Sequence, residues 1–132
     1  MSQPEPAGPT EVDASLRGVI DRVRRMPPGR LRAGLRGPFA TRADAARSLG
    51  RDLVVVAQGI EEAASPAAPA WRELPDVPDL VVGDQLAVLA EDVRRALAGD
   101  PPIEVWTPAG RAPLPDVVRD LLAAAQEVRR ML

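Results

Sequence analysis

Residues 41–64 read TRADAARSLGRDLVVVAQGIEEAA and carry the strongest helical pattern in the chain. Their apolar side chains recur in alternating steps of three and four, the spacing of a helix that packs along one seam. Thr41 precedes the pattern and Asp44 follows three residues later, an arrangement typical of a helix start. The stretch predicts a long amphipathic helix. Its predicted buried seam consists of Ala46, Leu49, Leu53, Val56, Ile60 and Ala63.

Three further stripes of apolar residues at helical spacing lie on either side of this segment. The first begins at Thr10, a predicted N-cap, and ends before the proline pair at 27–28. The next begins at Asp79, also a predicted cap, and ends at Gly99. The last begins at about Pro115, a favoured first-turn residue, and continues to the end of the sequence.

The four helices together predict an all-α fold, an antiparallel four-helix bundle with Pro-rich connections. An Arg-rich segment over residues 29–37 predicts one short helical turn, and a Pro-Ala-Gly turn allows one short hairpin near 103–112. Residues 1–9 contain three prolines and no periodicity, so we expect a disordered tail there. Residues 10–132 are expected to form a single helical domain.

The chain lacks most of the side chains that carry out catalysis. It contains no His, Cys, Lys, Tyr or Asn, and all 17 of its basic residues are Arg. His, Cys and Lys supply the usual proton switches and nucleophiles, so an enzyme would depend on carboxylates. A metal site of this kind needs acids three residues apart, whereas Glu61 and Glu62 are followed three residues later by Ala64 and Ser65. We therefore predict a non-catalytic protein with no cofactor and no metal site. The carboxylates considered are Glu61, Glu62, Asp84, Glu91 and Asp92.

Location is predicted from what the sequence does not contain. No stretch resembles a signal peptide, and the longest apolar runs, such as residues 53–57, are far too short to cross a membrane. The lack of cysteine fits a reducing compartment. We predict a soluble, cytoplasmic protein that makes no contact with a membrane.

Charge is distributed unevenly along the sequence. Residues 1–51 contain ten Arg and five acidic residues, whereas residues 52–132 contain seven Arg and fourteen acidic residues. Two interpretations stay open: the halves neutralise each other within the fold, or the basic half presents a surface to a polyanion such as nucleic acid. Under the second interpretation the predicted polyanion-binding residues are Arg24, Arg25, Arg30, Arg32, Arg36, Arg42 and Arg47.

The sequence AARSLG, which ends at Gly50, resembles the first helix and turn of a bacterial helix-turn-helix. That motif has a small residue four positions before its turn glycine and an apolar residue six positions after it, as Ala46, Gly50 and Val56 do here. The resemblance implies a DNA-binding regulator that uses residues 41–60. The match departs from the motif at Arg51, where an apolar residue is usual, and at the following valines, which cannot hydrogen-bond to bases. One continuous helix with Gly50 on its exposed side explains the same residues.

Two features favour a role in protein association. The long helix carries apolar residues in excess of its seam, which widen its apolar surface beyond what a peripheral helix needs. Trp71 and Trp106 lie in Pro-rich connections, where each is either a plug over the end of the core or an exposed docking residue. The leading prediction is an accessory, adaptor or regulatory protein, or a homodimer, and the alternative is the DNA-binding regulator. The predicted partner-binding residues are Val54, Val55, Ala57, Trp71 and Trp106.

Overall fold

A computed structural model describes residues 9–132 of the protein, in which helices predominate. Within these residues the strands are β1 (Glu104–Thr107) and β2 (Gly110–Pro113), and a 3₁₀ turn over Asp79–Val81 leads into the fourth helix. A mostly helical fold is thus confirmed, although the strand pair makes a strictly all-α description too strong. The helices are α1 (Pro9–Arg25), α2 (Pro28–Arg32), α3 (Arg42–Glu61), α4 (Val82–Leu97) and α5 (Leu114–Met131).

The four long helices share one apolar interior. α1 contacts α4 and α5, and α3 contacts the same two helices as well as α2 and β1. The sequence has only three aromatic residues, so the interior is built mainly from aliphatic side chains. Val19, Leu53 and Leu86, from α1, α3 and α4, are almost completely removed from solvent. Each methylene group buried in this way contributes about 0.8 kcal/mol, so burial along the helix stripes stabilises the fold.

Two of the predicted helix starts are confirmed. Thr41 caps α3, because its Oγ1 accepts a hydrogen bond from the backbone N–H of Asp44 at 3.1 Å. Pro115 lies in the first turn of α5, where the missing N–H of proline removes no helical hydrogen bond. The predicted stop after α4 also holds, since Gly99 has a φ of +79° and carries the chain away from the helix axis.

The two other predicted caps are wrong. Thr10 already lies inside α1, whose described part begins at Pro9. Asp79 belongs to the 3₁₀ turn and does not cap α4; its carboxylate instead accepts a hydrogen bond from Arg47 of α3 at 2.6 Å. The Asp79 carboxylate, which the local sequence pattern predicted to cap a helix, therefore binds Arg47 instead. Apart from Pro9, the predicted disordered tail lies outside the described residues.

The predicted hairpin near residues 103–112 is confirmed. β1 and β2 pair antiparallel, and Thr107 lies opposite Gly110 at the turn. Gly110 has a φ of +119°, a conformation that side-chain-bearing residues rarely adopt, and Thr107 Oγ1 donates to its carbonyl oxygen at 2.8 Å. Val105 is fully buried, so the hairpin is anchored to the core through β1.

Two glycines of α3 face the interior. Gly59 lies so close to the hairpin that an added Cβ would be 2.0 Å from the carbonyl oxygen of Trp106. Gly50, which was predicted to be exposed, is buried, and an added Cβ would lie 3.1 Å from Leu74 Cδ2. That prediction is wrong because the covering residue belongs to the Pro-rich connection, whose path has no periodic signature.

Candidate functional site

An apolar groove with a volume of about 300 Å³ lies between α3, the β1–β2 hairpin and α5. Side chains of α3, of α5 and of the hairpin with its turn all line it. A concavity of this size accepts a few side chains or a small ligand. We call it the α3–α5 groove. Its lining residues are Asp52, Val55, Val56, Trp106, Thr107, Pro108, Val117, Asp120, Leu121 and Ala124.

The α3 wall is formed by apolar residues that the core leaves partly uncovered. Val55 and Val56 are both partly exposed and line the groove. Val54 is also partly exposed but is not part of the lining. Ala57 is buried in the core, so its predicted role in partner binding is wrong: one further residue along α3 turns the side chain inward. Of the three α3 residues predicted to bind a partner, Val55 is the one in the groove.

Trp106 lines the groove from the hairpin and is held in place by polar contacts. Its indole Nε1 donates a hydrogen bond to the carbonyl oxygen of Ser65 at 3.0 Å. The guanidinium of Arg111 lies 4.9 Å from the ring centre, within cation–π range, and donates to the carbonyl oxygen of Ala63 at 2.9 Å. The ring is nevertheless partly exposed, so it is both oriented by the fold and accessible to a ligand.

Two carboxylates, Asp52 and Asp120, line this otherwise apolar groove. Burial raises the pKa of the Asp52 carboxyl, and the charge of neighbouring Arg51 offsets part of that effect. Asp52 still keeps contact with solvent, so its carboxylate is available to a partner. Asp120 lies 3.5 Å from Arg119, a long surface ion pair that contributes little. Neither residue was predicted, because nothing local distinguishes them from other surface acids.

Trp71 is outside the groove, and its segment is fixed to α3 by Gln58. Gln58 is only 3% exposed. Its Nε2 donates to the carbonyl oxygen of Ala70 at 2.9 Å, and its Oε1 accepts from the backbone N–H of Arg72 at 2.9 Å. These bonds satisfy the buried amide and fix the chain on both sides of Trp71, whose side chain is partly exposed. Sequence reasoning missed Gln58 because its partners are main-chain atoms of an irregular segment.

The arginines predicted to bind a polyanion are not equally available to one. Arg47 is unavailable, because its side chain is 18% exposed and pairs with Asp79 at 2.6 Å and Asp44 at 3.2 Å. Burial opposes the charge of Arg47, but its hydrogen bonds and charge attraction to both aspartates outweigh burial and raise its pKa. The prediction for Arg47 is therefore wrong: it joins α3 to the segment that leads into α4.

The other members of that set differ in their surroundings. Arg24 pairs with Asp84 at 3.0 Å, which joins α1 to α4. Arg25 and Arg30 line a second pocket at the end of α1. The three remaining arginines precede or begin α3: Arg32 and Arg36 are exposed and Arg42 is partly exposed.

A helix-turn-helix at residues 41–60 is wrong. α3 continues without a break from Arg42 to Glu61, so the segment contains no turn and no separate recognition helix. Gly50 costs a helix about 1 kcal/mol relative to Ala, which packing against the core readily offsets. DNA binding by other residues is a separate question.

Four of the five carboxylates considered as catalytic or metal-binding candidates have nearby partners, and Asp92 is the exception among the described contacts. The hydrogen bond from Arg94, aided by the charges of Arg94 and Arg95, lowers the pKa of Glu91 to about 2. In the part of the chain that the structure describes, no three His, Cys, Asp or Glu side chains come together as a metal-binding group. The other contacts are Asp84 with Arg24, Glu61 with Arg72, and Glu62 with Gln58.

No protein-family model, curated protein or solved structure matches this chain. None of the helices in residues 9–132 is long and apolar enough to span a membrane. The concave surfaces of the protein, and the side chains that line them, are therefore the features that indicate what it binds.

Proposed function

We propose that the protein acts by association, and that the α3–α5 groove binds a partner segment in which a large apolar side chain lies next to Lys or Arg. The observation that carries this proposal is that residues from separate parts of the chain meet in one groove. Val55 and Trp106, which are far apart in sequence, line one apolar groove together with Asp52 and Asp120. A partly exposed, well-oriented tryptophan in such a groove is the kind of residue that contributes most to a protein interface.

Charge defines the chemistry of the partner. A cation beside Asp52 stabilises the ionised carboxylate, which burial disfavours. An acidic partner would bring like charges together in a partly desolvated groove, which is strongly unfavourable. Two copies meeting groove to groove would likewise oppose the same carboxylates. A basic, apolar segment of another protein therefore fits better than a symmetric homodimer through this face.

Rigid walls would allow the groove to bind a partner at a low cost in conformational entropy. We propose that the four long helices form an antiparallel bundle, with α3 and α5 as neighbours. The contacts of α1 and of α3 with both α4 and α5 support this arrangement. A surface that is already ordered loses less conformational entropy when a partner binds, so more of the contact energy contributes to affinity.

Trp106 can serve as the reporter in a direct test. Trp71→Phe leaves Trp106 as the only tryptophan, so its emission reports on the groove. The ligands are helical peptides that share one leucine stripe and differ only in whether the flanking positions are Lys, Gln or Glu. We expect the Lys peptide to change the emission saturably and to bind at least about tenfold more tightly than the Glu peptide, a difference of about 1.4 kcal/mol.

Val55→Asp and Val88→Asp form a matched pair of variants in this background. Val55→Asp should abolish the response without loss of helical circular dichroism, because Val55 is only partly buried. Val88 is 63% exposed on α4 and is not part of the groove, so the same substitution there should leave binding unchanged.

Four outcomes would count against the proposal. Equal binding of the Lys and Glu peptides, or no response to any peptide, would contradict it. Unfolding of Val55→Asp would identify Val55 as an ordinary core residue. A concentration-dependent dimer in sedimentation that Val55→Asp dissociates would identify a second copy of the chain as the occupant.

A further inference from the structure

A second pocket, about 490 Å³ in volume, lies where the C-terminal ends of α1 and α5 meet α2. Arg22 and Arg25 of α1, Arg30 of α2 and Arg129 of α5 all line it, and we call it the four-arginine pocket. We propose that it binds a small phosphorylated ligand whose two phosphate groups lie among these guanidinium groups. It shares no lining residue with the α3–α5 groove, so the two proposals are independent.

Helix geometry brings the four side chains together. Arg22 and Arg25 are three residues apart on α1, so their side chains leave the same face of the helix. Gly18, about one turn earlier, allows Arg129 to approach that face: an added Cβ would lie 2.8 Å from Nη1 of Arg129. Arg30 approaches from α2, and its Nη2 donates at 3.3 Å to a backbone oxygen of the residue that follows α5.

Ion pairing distinguishes these arginines from their sequence neighbours. Arg24 pairs with Asp84 and Arg130 pairs with Glu127, although each lies next to an arginine of the pocket. Within the described residues, by contrast, no side-chain carboxylate lies within ion-pairing distance of the four pocket guanidinium groups. Four further arginines in the described residues also lack such a partner, Arg32, Arg36, Arg42 and Arg51, but they do not line the pocket. The four pocket arginines are thus both without a carboxylate partner and gathered on one concave surface.

The net charge of the pocket favours an anion with more than one negative charge. Asp21 also lines the pocket, and the C-terminal ends of α1 and α5 each contribute about half a negative charge. Set against four guanidinium groups, these contributions leave roughly two positive charges. A group with two negative charges, such as a phosphate monoester or a diphosphate esterified at both ends, matches this balance better than a single carboxylate does.

The donor geometry indicates more than one phosphate. A guanidinium group presents a planar fork that binds two phosphate oxygens at once. The three terminal oxygens of one phosphate monoester form only three such pairs, whereas the pocket offers four guanidinium groups. Met26 and Pro27 supply an apolar side of the pocket for the organic part of a ligand. The pocket is compact and concave, whereas duplex DNA is bound by an extended row of phosphate contacts. A small ligand is therefore the better match.

The test is isothermal titration calorimetry of the full chain at low salt with pyrophosphate, and with inorganic phosphate for comparison. We expect one saturable site per chain and tighter binding of pyrophosphate. The double variant Arg22→Gln/Arg25→Gln should weaken binding at least about tenfold, because charge-assisted bonds to phosphate are lost. Arg24→Gln is the matched control: it removes a neighbouring charge on the same helix, outside the pocket, and should leave affinity within about twofold.

A variant that leaves the net charge unchanged separates the pocket from general charge attraction. Gly18→Ala displaces the Arg129 guanidinium, so it should weaken pyrophosphate binding several-fold. The same change should leave the melting temperature unchanged or higher, because Ala is the better helix former. Asp21→Asn removes the carboxylate that lines the pocket and should strengthen binding.

Two results of the calorimetry would overturn the proposal. One is the absence of saturable binding of pyrophosphate to the folded wild-type chain at low salt. The other is an equal loss in Arg24→Gln and in the double variant, which would show general charge attraction. Binding of random duplex DNA is measured separately by fluorescence anisotropy. If the chain binds DNA more tightly than pyrophosphate, and every arginine variant weakens DNA binding equally, the arginines form an extended polyanion surface and not a pocket for a small ligand.

Discussion

Gly59 is the position at which a single methyl group should distort the candidate interface. It lies on α3 beneath the hairpin, and a Cβ there would come within 2.0 Å of the carbonyl oxygen of Trp106 and 3.1 Å of its carbonyl carbon. The contact is with backbone, so no side-chain rotation relieves it. In Gly59→Ala the hairpin must retreat by about 1 Å to reach even 3.0 Å, the lower limit of real Cβ contacts. The groove end formed by Trp106 then moves with it.

The expected change in stability is a sum of opposing effects. Alanine favours the helix over glycine by about 1 kcal/mol. Overpacking a fixed contact typically costs roughly 1–3 kcal/mol. Loss of the hydrogen bond from Trp106 Nε1 to Ser65 costs about 0.5–1.5 kcal/mol more. Gly59→Ala should therefore lower the free energy of unfolding by roughly 0.5–3.5 kcal/mol, even though alanine is the better helix former.

Two other helical glycines provide controls for the same substitution. An added Cβ at Gly29 of α2 meets nothing within 4 Å, so Gly29→Ala should be neutral or stabilising. At Gly50 the nearest atom is the movable end of Leu74, so Gly50→Ala should fall between the other two. Urea unfolding followed by circular dichroism measures all three. If Gly59→Ala proves as stable as Gly29→Ala, the close contact between hairpin and α3 is wrong.

Two further predictions concern polar groups near the groove. Gln58→Ala leaves the carbonyl oxygen of Ala70 and the N–H of Arg72 unpaired, so it should lower the free energy of unfolding by about 1–3 kcal/mol. The control is Gln126→Ala, which should have no such effect because Gln126 is exposed. For Asp52, the raised pKa means that the folded chain holds its proton more tightly than the unfolded chain does, so wild-type stability falls as pH rises from 3.8 through the raised value. Asp52→Asn has no carboxyl to titrate, so the stability of the variant should rise relative to wild type as the pH increases through this range. If the unfolding midpoints of the two proteins depend on pH in the same way, the prediction is wrong.

The helices were predictable because their signals are local. The alternation of apolar residues from Ala46 to Ala63 predicts α3, and the Thr41 cap places its start. Paths without periodicity were not predictable. Residues 62–78 form an irregular connection, and only its folded course shows that Leu74 covers Gly50 or that Asp79 turns to α3. The local sequence pattern therefore predicted the wrong surroundings for Gly50 and for Asp79.

The candidate groove was predictable only in fragments. Excess apolar residues on α3 indicated Val55, and an isolated aromatic residue in a Pro-rich connection indicated Trp106. That these two residues share one surface follows from the contact of the hairpin with α3, which depends on the missing side chain of Gly59. The same reasoning included Ala57, which is buried. Residues 53–57 are five successive apolar residues, and which of them face the core cannot be assigned without knowing the neighbours of the helix.

The charge asymmetry of the sequence can be interpreted from the ion pairs. In the described residues two pairs join the basic half to the acidic half, Arg24 with Asp84 and Arg47 with Asp79, and the other ion pairs lie within one half. Neutralisation between the halves thus involves few of the ten arginines in residues 1–51. Part of the excess charge of each half stays at the surface: three of the four pocket arginines come from residues 1–51, and both carboxylates of the α3–α5 groove come from residues 52–132. Sites of opposite sign cannot bind the same class of ligand, so a basic segment and a phosphorylated molecule would be distinct ligands of one small chain.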